Sequence, residues 1–141
     1  QGYCTLYGDM AGGYAPLGDL YKMEVYALAR EFNERIGAMA VNESTLTKPP
    51  SAELAPDQKD EDSLPPYPIL DEILRLHIED GLDATQLVEH GHELNVVNDV
   101  LTRLSRNEHK RWQMPPAPRV SKRAFGQGWR QPLAAKHDWR D

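Results

Sequence analysis

A fifteen-residue segment with three prolines, KPPSAELAPDQKDED at positions 48 to 62, is the feature that most restricts how this chain can fold. It has no apolar periodicity, and its prolines are unsuited to a helix interior or a central strand. Structureless runs of this length are uncommon inside compact domains and usually act as lids, binding loops or linkers. The segment is therefore either a hydrated spacer or a working part of a site.

The part of the chain before this segment has the order strand, glycine-rich connection and helix. Alternation of Tyr3, Thr5 and Tyr7 predicts a strand over residues 1 to 9, which ends at a Gly-Asp turn. A helix is predicted over residues 19 to 35, and this order is typical of an α/β unit. Gly37 is expected to stop the helix. One apolar face is formed by Tyr21, Val25, Leu28, Phe32 and Ile36.

Three further helices are predicted after the segment. Pro68 suits the first position of a helix in PPYPILDEILRLH, with Ile69, Ile73 and Leu76 as its apolar stripe. A short helix over residues 84 to 90 is predicted by a cap at Asp83, Gln86 three residues on, a Leu82–Leu87 staple and a stop at Gly91. The fourth is predicted from Asn95 to Gln113, with Val97, Val100, Leu101 and Leu104 facing inward, before the prolines of MPPAP.

Composition places the chain among soluble single domains. It has 141 residues, 40% of them hydrophobic and 27% charged. Its sole cysteine, Cys4, excludes an intramolecular disulfide, so a reducing cytoplasm is the simplest location. No membrane or nucleic-acid partner is predicted. The start at Gln1, without methionine, indicates a piece of a longer polypeptide.

Charge is unevenly distributed along the chain. Residues 43 to 99 carry 3 basic and 14 acidic side chains, whereas residues 103 to 141 carry 10 basic and 3 acidic ones. The tail over residues 114 to 141 is expected to be irregular and held by Phe125 and Trp129. A basic tail is either a solvated surface or attracts an acidic partner or an anionic ligand such as a nucleotide.

Lys22 is the first residue that points to a ligand. If Asp19 caps the first predicted helix, Lys22 lies in the first turn, where backbone N–H groups lack partners and the helix dipole is positive. A lysine there is locally unfavourable, but together with those N–H groups it would bind phosphate. A lysine without a function in that turn is the alternative.

The proline-rich segment contains two further candidate groups. Lys48 and Ser51 flank a stiff Pro-Pro pair, which could hold an ammonium and a hydroxyl at a fixed separation. Its acids, Asp57, Asp60, Glu61 and Asp62, could hold a divalent cation, because hard ions prefer carboxylate oxygens. Their spacing matches no calcium-loop pattern, and acidic loops are usually only hydrated, so no metal ligand is assigned.

Histidines occur at two places near helix ends. His109 and Lys110 in NEHKR suit the negative end of a helix dipole, and this placement alone explains them. His90 and His92 in HGHE have no further Cys or His at ligand spacing, so a zinc site is rejected. The sequence has no nucleophile elbow, CxxC pair or GxxxxGK[ST] loop.

Three blocks of sequence also resemble one family. TLYGDMAGGYAPLGDLYKMEVYALA, KPPSAELAPDQKDEDSLPPY and NEHKRWQMPPAPRVSKRAFGQGWR are similar, in the same order, to the synthetase domain of NAD synthetases of the glutamine-dependent type. The resemblance covers roughly residues 3 to 133 and implies that residues 1–141 are the C-terminal portion of that domain. The implied fold is a mostly helical part of a Rossmann-like α/β domain of the adenine nucleotide alpha-hydrolase (N-type ATP pyrophosphatase) class.

The implied activity is the ATP-dependent amidation of deamido-NAD. ATP adenylylates the nicotinate carboxylate, pyrophosphate leaves, and ammonia then displaces AMP to give NAD. In this branch a separate amidase domain with a Glu-Lys-Cys triad supplies ammonia from glutamine; Cys4 is not its nucleophile. The family's SGGxDS loop and its magnesium-binding glutamate would lie upstream of Gln1, and the family forms homo-oligomers.

The resemblance also implies roles for individual residues. Lys22 and Ser51 match positions that contact ATP, and Lys48 would supply charge beside them. His109 and Lys110 match a pair that binds deamido-NAD. The loop over residues 48 to 66 would be mobile, its acids Asp60, Glu61 and Asp62 ordering over the bound nucleotides, so that residues 48 to 62 act as a lid. Leu6 and Gly13 stand where ammonia-dependent relatives have a lysine and an aspartate that contact deamido-NAD, so those two contacts do not transfer.

A second hypothesis comes from another class of protein. LPPYP and MPPAP could be polyproline segments that dock on a partner, which would make the chain a non-catalytic helical interaction module. Proline directly before and after helices also has a simpler explanation, because it marks where helices begin and end.

Overall fold

The computed structural model describes four stretches of the chain, and within them it is helical. Six α-helices, a 3₁₀ turn and a π-helical turn are present, and these stretches contain no β-strand. None of the helices in them is long and apolar enough to cross a membrane. The described residues are 1–5, 7–8, 10–51 and 56–134. The elements are α1 (Lys22–Ile36), α2 (Glu43–Thr47), the 3₁₀ turn (Asp60–Asp62), α3 (Tyr67–Arg75), the π-helical turn (Leu76–Asp80), α4 (Ala84–Glu89), α5 (Leu94–Arg106) and α6 (Glu108–Trp112).

The chain divides into two compact units. The first consists of residues 1–19 and 72–141, and the second of residues 20–71. In the first unit, α4 packs against α5, and the buried apolar side chains come mainly from these helices and the π-helical turn. The buried apolar residues of this unit are Ile73, Leu74, Leu76, Ile78, Leu87, Val97, Val100, Leu101 and Leu104.

The predicted strand over residues 1–9 is wrong for the described residues of that segment. Residues 1–5 have no regular structure, and residues 7–8 form a turn. The carbonyls of Gly2 and Cys4 accept hydrogen bonds from a lysine side chain rather than from a neighbouring strand. Strands need partners to be stable, and the described part of the chain offers none.

Helix α1 begins three residues later than predicted because Asp19 does not cap it. Tyr21 is the N-cap residue. The Asp19 carboxylate is buried and accepts hydrogen bonds from the backbone N–H groups of Val120, Ser121 and Phe125 and from the Ser121 hydroxyl. It therefore anchors the C-terminal tail within the first unit. The predicted helix stop is confirmed, because Gly37 has a left-handed conformation with φ 63°.

The apolar face of α1 is not a core face among the described residues. No residue of α1 is buried, and the side chains of Leu28, Phe32 and Ile36 are 48%, 49% and 47% exposed. The period of the sequence predicted the helix correctly, but the apolar face that it indicates is not buried among the described residues.

Helix α3 begins at Tyr67, one residue before the predicted start, and continues into the π-helical turn. Ile73 and Leu76 are buried as predicted, but Ile69 is 41% exposed. Gly81 ends the turn in a left-handed conformation with φ 78°.

Helix α4 has the predicted capping box. Asp83 accepts a hydrogen bond from the Gln86 backbone N–H at 2.9 Å, and the Gln86 side chain accepts one from the Asp83 N–H at 2.9 Å. Leu87 is fully buried, and Gly91 follows the helix with a positive φ of 103°. Both ends of this helix are therefore determined by local sequence, as predicted.

Replacing Asp83 with alanine is expected to destabilise α4 by about 1 kcal/mol, because the Gln86 N–H loses its acceptor. The measurement is hydrogen exchange of the Gln86 amide in the native polypeptide that carries this sequence, where exchange should become faster. Asp83→Ser keeps an oxygen acceptor at the cap and is the matched control. Equal acceleration in both variants would show that the side-chain cap does not stabilise the helix.

The fourth predicted helix is two helices rather than one. Residues Val97, Val100, Leu101 and Leu104 are buried as predicted, but α5 ends at Arg106 and α6 starts at Glu108. Asn107 separates them with φ −98° and ψ 10°. Its side-chain amide donates to the carbonyls of Arg103 and Gln1, and such side-chain bonding to the backbone competes with helix continuation.

The described part of the tail, residues 114–134, has turns and bends only. It is held by α6, because the guanidinium of Arg111 lies 4.9 Å from the ring centroid of Phe125 and 4.2 Å from that of Trp129. Arg111 forms a buried ion pair with Glu108, which also accepts a hydrogen bond from the backbone N–H of Gln131. Burial, and next the charge of Arg130, lower the pKa of Arg111 to about 10.

Candidate functional site

An open cavity of about 570 Å³ lies within the second unit and brings together three residues predicted to bind ATP. Lys22 reaches it from the start of α1, and Lys48 and Ser51 reach it from the two sides of the Pro-Pro pair that follows α2. Two ammonium groups and a hydroxyl on one concave surface suit a polyanionic ligand. The lining residues are Lys22, Tyr26, Ser44, Thr45, Thr47, Lys48, Pro49, Pro50, Ser51 and Asp60.

The ammonium of Lys22 rests against two aromatic rings. Its Nζ atom is 5.4 Å from the ring centroid of Tyr26 and 5.6 Å from that of Tyr67. Both distances are within the range of a cation–π interaction. The rings restrict where the ammonium can lie while leaving it a positive charge at the wall of the cavity.

The start of α1 does not offer all of the unpaired backbone N–H groups predicted for phosphate binding. The carboxylate of Asp71 accepts a hydrogen bond from the Met23 N–H at 2.7 Å and also bonds to the Lys22 N–H. Burial raises the pKa of Asp71 above its ordinary value, and these two bonds oppose that shift. The predicted phosphate seat on N–H groups is therefore wrong at these two positions, and the side chain of Lys22 is the group that faces the cavity.

Helix α2, which the sequence reasoning missed, positions Lys48. The Lys48 N–H donates to the Ser44 carbonyl at 2.9 Å, so Lys48 directly follows the last turn of the helix. The local signal was Asn42 at the N-cap position and Glu43 in the first turn, although Asn42 makes no side-chain cap bond. A five-residue helix is shorter than the apolar period can reveal.

Asp60 is not an exposed member of an acidic flap. It is 6% exposed, and its Oδ2 atom accepts a hydrogen bond from the Tyr67 hydroxyl at 2.6 Å. Burial, followed by this bond, raises the pKa of Tyr67, so its hydroxyl keeps the proton that it donates. Sequence reasoning assigned no role to Tyr67.

The three acids of the 3₁₀ turn differ in their burial and in their hydrogen bonds. Asp60 is buried, whereas Glu61 and Asp62 are exposed, and Asp62 accepts a hydrogen bond from the Lys59 N–H at 2.8 Å. Within the described ranges, no group of three or more His, Cys, Asp or Glu residues is arranged to hold a metal ion. Residues 52 to 55 of the predicted lid lie outside the described residues.

Lys110 and His109, predicted to bind deamido-NAD, lie in α6 of the first unit. The Lys110 ammonium donates to the carbonyls of Gly2 and Cys4 at 2.6 and 2.8 Å. It lines a small cavity of about 80 Å³ together with Arg111. His109 is exposed, with its Nδ1 atom 3.1 Å from the Arg106 carbonyl oxygen.

The family model named NAD synthase matches residues 1–115 of the chain. The chain is 48% identical over 132 residues to the glutamine-dependent NAD(+) synthetase of Thermotoga maritima and 47% identical over 135 residues to that of Aquifex aeolicus. These alignments cover 94% and 96% of the chain but 23% and 24% of the relatives. The chain thus spans about a quarter of the length of the curated relatives that it matches.

A solved structure of the glutamine-dependent NAD+ synthetase from Acinetobacter baumannii, in complex with ADP, is 38% identical to the chain with a TM-score of 0.49. The match covers 94% of this chain and 22% of that one. The family model, by contrast, matches well over half of the chain. The chain belongs to the NAD synthase family. The resemblance predicted from the three sequence blocks is confirmed.

Proposed function

We propose that the chain is the C-terminal portion of the synthetase domain of a glutamine-dependent NAD synthetase, which uses ATP to amidate deamido-NAD. Relatives of that name match nearly the whole chain. The described helices would be the helical part of a Rossmann-like α/β domain of the N-type ATP pyrophosphatase class. Residues 48–66 would form its mobile active-site loop, and residues 114–141 its irregular basic tail.

The observation that carries the proposal is the meeting of Lys22, Lys48 and Ser51 at one cavity. Its volume of about 570 Å³ lies within the range of small-molecule sites. A triphosphate needs cationic and hydrogen-bonding groups at several oxygens, and these three side chains provide two charges and one hydroxyl donor. The proposed occupant is ATP, with its phosphates toward the two lysines.

The proposed reaction has two steps. A carboxylate oxygen of deamido-NAD attacks the α-phosphorus of ATP, a new O–P bond forms, and the bond to the departing pyrophosphate breaks. Ammonia then attacks the activated carbonyl carbon, the C–O bond to AMP breaks, and the nitrogen loses a proton to leave the amide of NAD. Lys22 and Lys48 would stabilise the negative charge on the phosphorus oxygens and on pyrophosphate, and Ser51 would donate to a phosphate oxygen.

Deamido-NAD is assigned to residues of α6. Lys110 has three N–H donors, two of which are directed at carbonyls of residues 2 and 4, and the proposal assigns it and His109 to this substrate. Closure of the loop over residues 48–62 would exclude water, which would otherwise hydrolyse the adenylylated intermediate. The ammonia would come from a glutamine amidase that this chain does not resemble.

Magnesium normally accompanies ATP, but the described residues do not fit a resident magnesium site. Asp60 Oδ2 is bonded to Tyr67, Asp62 Oδ2 is bonded to the Lys59 N–H, and no third carboxylate among the described residues joins them. No step is therefore assigned to a metal held by these residues.

The contacts of the proline segments do not favour the alternative of a docking module. The carbonyl of Pro116, in MPPAP, accepts a hydrogen bond from the Ala15 N–H at 2.8 Å. The carbonyl of Pro66, in LPPYP, accepts hydrogen bonds from the N–H groups of Ile69 and Leu70 at the start of α3. Both segments therefore make backbone hydrogen bonds to other residues of the same chain.

Replacing Ser51 with alanine is expected to reduce kcat/KM for ATP by about tenfold, because one donor to a phosphate is lost. Lys48→Ala should cause a larger loss, since it removes a charge. The measurement is ATP-dependent formation of NAD from deamido-NAD and an ammonium salt by the native polypeptide that carries this sequence. Ser51→Thr retains the hydroxyl and should stay near the unchanged protein; unaltered kcat/KM in Ser51→Ala and Lys48→Ala would refute the assignment.

A further inference from the structure

The backbone of Asp60 bonds to Pro50, ten residues earlier in the chain. Its backbone N–H donates to the Pro50 carbonyl at 2.9 Å, and its own carbonyl accepts from the N–H groups of Ser63 and Leu64 at 3.2 and 2.9 Å. The first of these bonds joins Pro50 and Asp60 at the wall of the cavity. Both residues line the cavity together with Ser51.

The side chain of Asp60 is held in a way that a solvated spacer does not require. It is 6% exposed. Its Oδ2 atom accepts a hydrogen bond from the Tyr67 hydroxyl. Its Oδ1 atom is shielded from solvent and has no hydrogen-bond partner among the described residues. Burying a carboxylate costs free energy unless its oxygens are satisfied. Neighbouring Glu61 and Asp62 avoid that cost because they are exposed. A buried acid at this point therefore indicates a specific use.

Tyr67 joins this acid to the candidate phosphate-binding lysine. Its hydroxyl bonds to Asp60, and its ring centroid lies 5.6 Å from Lys22 Nζ. A shift of the ring would move one of the two aromatic surfaces on which the ammonium rests. The contacts thus form a continuous series from the Pro50 carbonyl through Asp60 and Tyr67 to Lys22.

We propose that Asp60 and Tyr67 are positioning residues that fix the ammonium of Lys22 for ATP and link it to the Pro50 carbonyl at the cavity wall. Neither residue would touch the reacting atoms. This inference rests on the proposed function, because it assumes that Lys22 binds ATP. It assigns a role to Asp60 that differs from that of the exposed acids beside it.

The first test compares substitutions that keep or remove the Asp60–Tyr67 hydrogen bond. In the native polypeptide, Asp60→Ala should raise KM for ATP about tenfold or more, because the Tyr67 hydroxyl loses its carboxylate acceptor. Asp60→Asn retains an acceptor oxygen and should restore most of that loss. Tyr67→Phe keeps the ring but not the hydroxyl, and it should also raise KM for ATP while leaving KM for deamido-NAD unchanged.

Matched controls are available among exposed residues that are not part of the cavity lining. Glu34→Gln removes an exposed carboxylate from α1, and Tyr7→Phe removes the hydroxyl of a tyrosine that is 96% exposed. Neither should change KM for either substrate. Tyr67→Phe is also the mild variant, since it loses one oxygen atom and keeps the packing of the ring, so it tests the proposal even if Asp60→Ala fails to fold.

The second test asks whether Asp60 acts through Lys22. If it does, adding Asp60→Ala to Lys22→Ala should raise KM for ATP far less than it does in the unchanged protein, because coupled residues are not additive. Full additivity, or no rescue by Asp60→Asn, would overturn the inference. An unchanged KM for ATP in Lys22→Ala alone would instead refute the ATP assignment. If KM for ATP rose in Lys22→Ala but stayed unchanged in Asp60→Ala and Tyr67→Phe, only the positioning role would be refuted.

Discussion

Lys22→Ala is expected to lower kcat/KM for ATP by about 10²–10³-fold in the formation of NAD by the native polypeptide, the range seen when a preorganised electrostatic donor is removed from an active site. The ammonium lies at the cavity wall against the rings of Tyr26 and Tyr67, which restrict where its charge is presented. The measurement is the initial rate of NAD formation over a range of ATP concentrations.

Two variants control this experiment. Lys22→Arg retains a positive charge that can stack on the same rings, so it should preserve more activity than Lys22→Ala. Arg30→Gln removes an exposed charge from the same helix, at a residue that does not line the cavity, and should leave the rate unchanged. If Arg30→Gln lowered the rate as much as Lys22→Ala, the loss in Lys22→Ala would come from the change in net charge and not from the position of the Lys22 ammonium at the cavity.

Asp19→Ala is expected to release the tail from the first unit. The Asp19 carboxylate is 4% exposed and accepts four hydrogen bonds from residues 120–125. Each such bond to a charged acceptor contributes roughly 1.5–3 kcal/mol, so we expect exchange of the amide hydrogens of Val120, Ser121 and Phe125 to become at least about 100-fold faster. Hydrogen exchange of the native polypeptide at neutral pH measures this directly.

The same anchor should weaken in acid. Burial alone would raise the pKa of Asp19, but the hydrogen bonds from Ser121, Phe125 and Val120 outweigh it and hold the pKa below its ordinary value of 3.8. A carboxyl whose pKa is lower in the folded state stabilises that state above the unfolded pKa and loses this contribution as pH falls through the folded value. Protection of the three amides should thus be constant from pH 7 to about 5 and decline below about 4.

Asp19→Asn separates charge from shape in this prediction. It keeps one acceptor oxygen but has no titrating group, so it should be less protected than the unchanged protein at neutral pH and show no decline of its own below pH about 4. A parallel decline in both proteins would mean that another group causes the acid sensitivity. Equal protection at neutral pH would mean that the charge of Asp19 contributes nothing.

Features determined by neighbouring residues could be predicted from the sequence. The cap at Asp83, the stops at Gly37 and Gly91 and the buried positions of α5 all depend on residues within one or two turns. The family, too, was visible in three sequence blocks, and the family model confirms it. Lys22, Lys48 and Ser51 were each chosen for their chemistry, and the structure brings them to one cavity.

Features determined by distant residues could not be predicted in the same way. Asp19 resembled a helix cap, but its partners lie about 100 residues further along the chain. Asn107 interrupts the predicted fourth helix, and one of the hydrogen bonds of its side chain goes to the carbonyl of Gln1, 106 residues earlier in the chain. Asp71 occupies N–H groups that were expected to bind phosphate, and it is 48 residues from Met23.

The same limit applies to the acidic segment after Pro56. Composition describes Asp60, Glu61 and Asp62 as equivalent, whereas burial and a hydrogen bond from Tyr67, seven residues further along, distinguish Asp60. The apolar face of α1 is a different case. Its period was read correctly, but a period reports which residues share a face and not what covers that face.

The most direct test of the central claim is a comparison of KM values for both substrates in two single variants of the native polypeptide. NAD formation would be measured with ATP and deamido-NAD varied in turn, for Lys22→Ala in the second unit and Lys110→Ala in the first. The account predicts that Lys22→Ala mainly raises KM for ATP and Lys110→Ala mainly raises KM for deamido-NAD, by about tenfold or more for the loss of a charged contact. Unchanged KM for ATP in Lys22→Ala, or no ATP-dependent formation of NAD by the unchanged polypeptide, would contradict it.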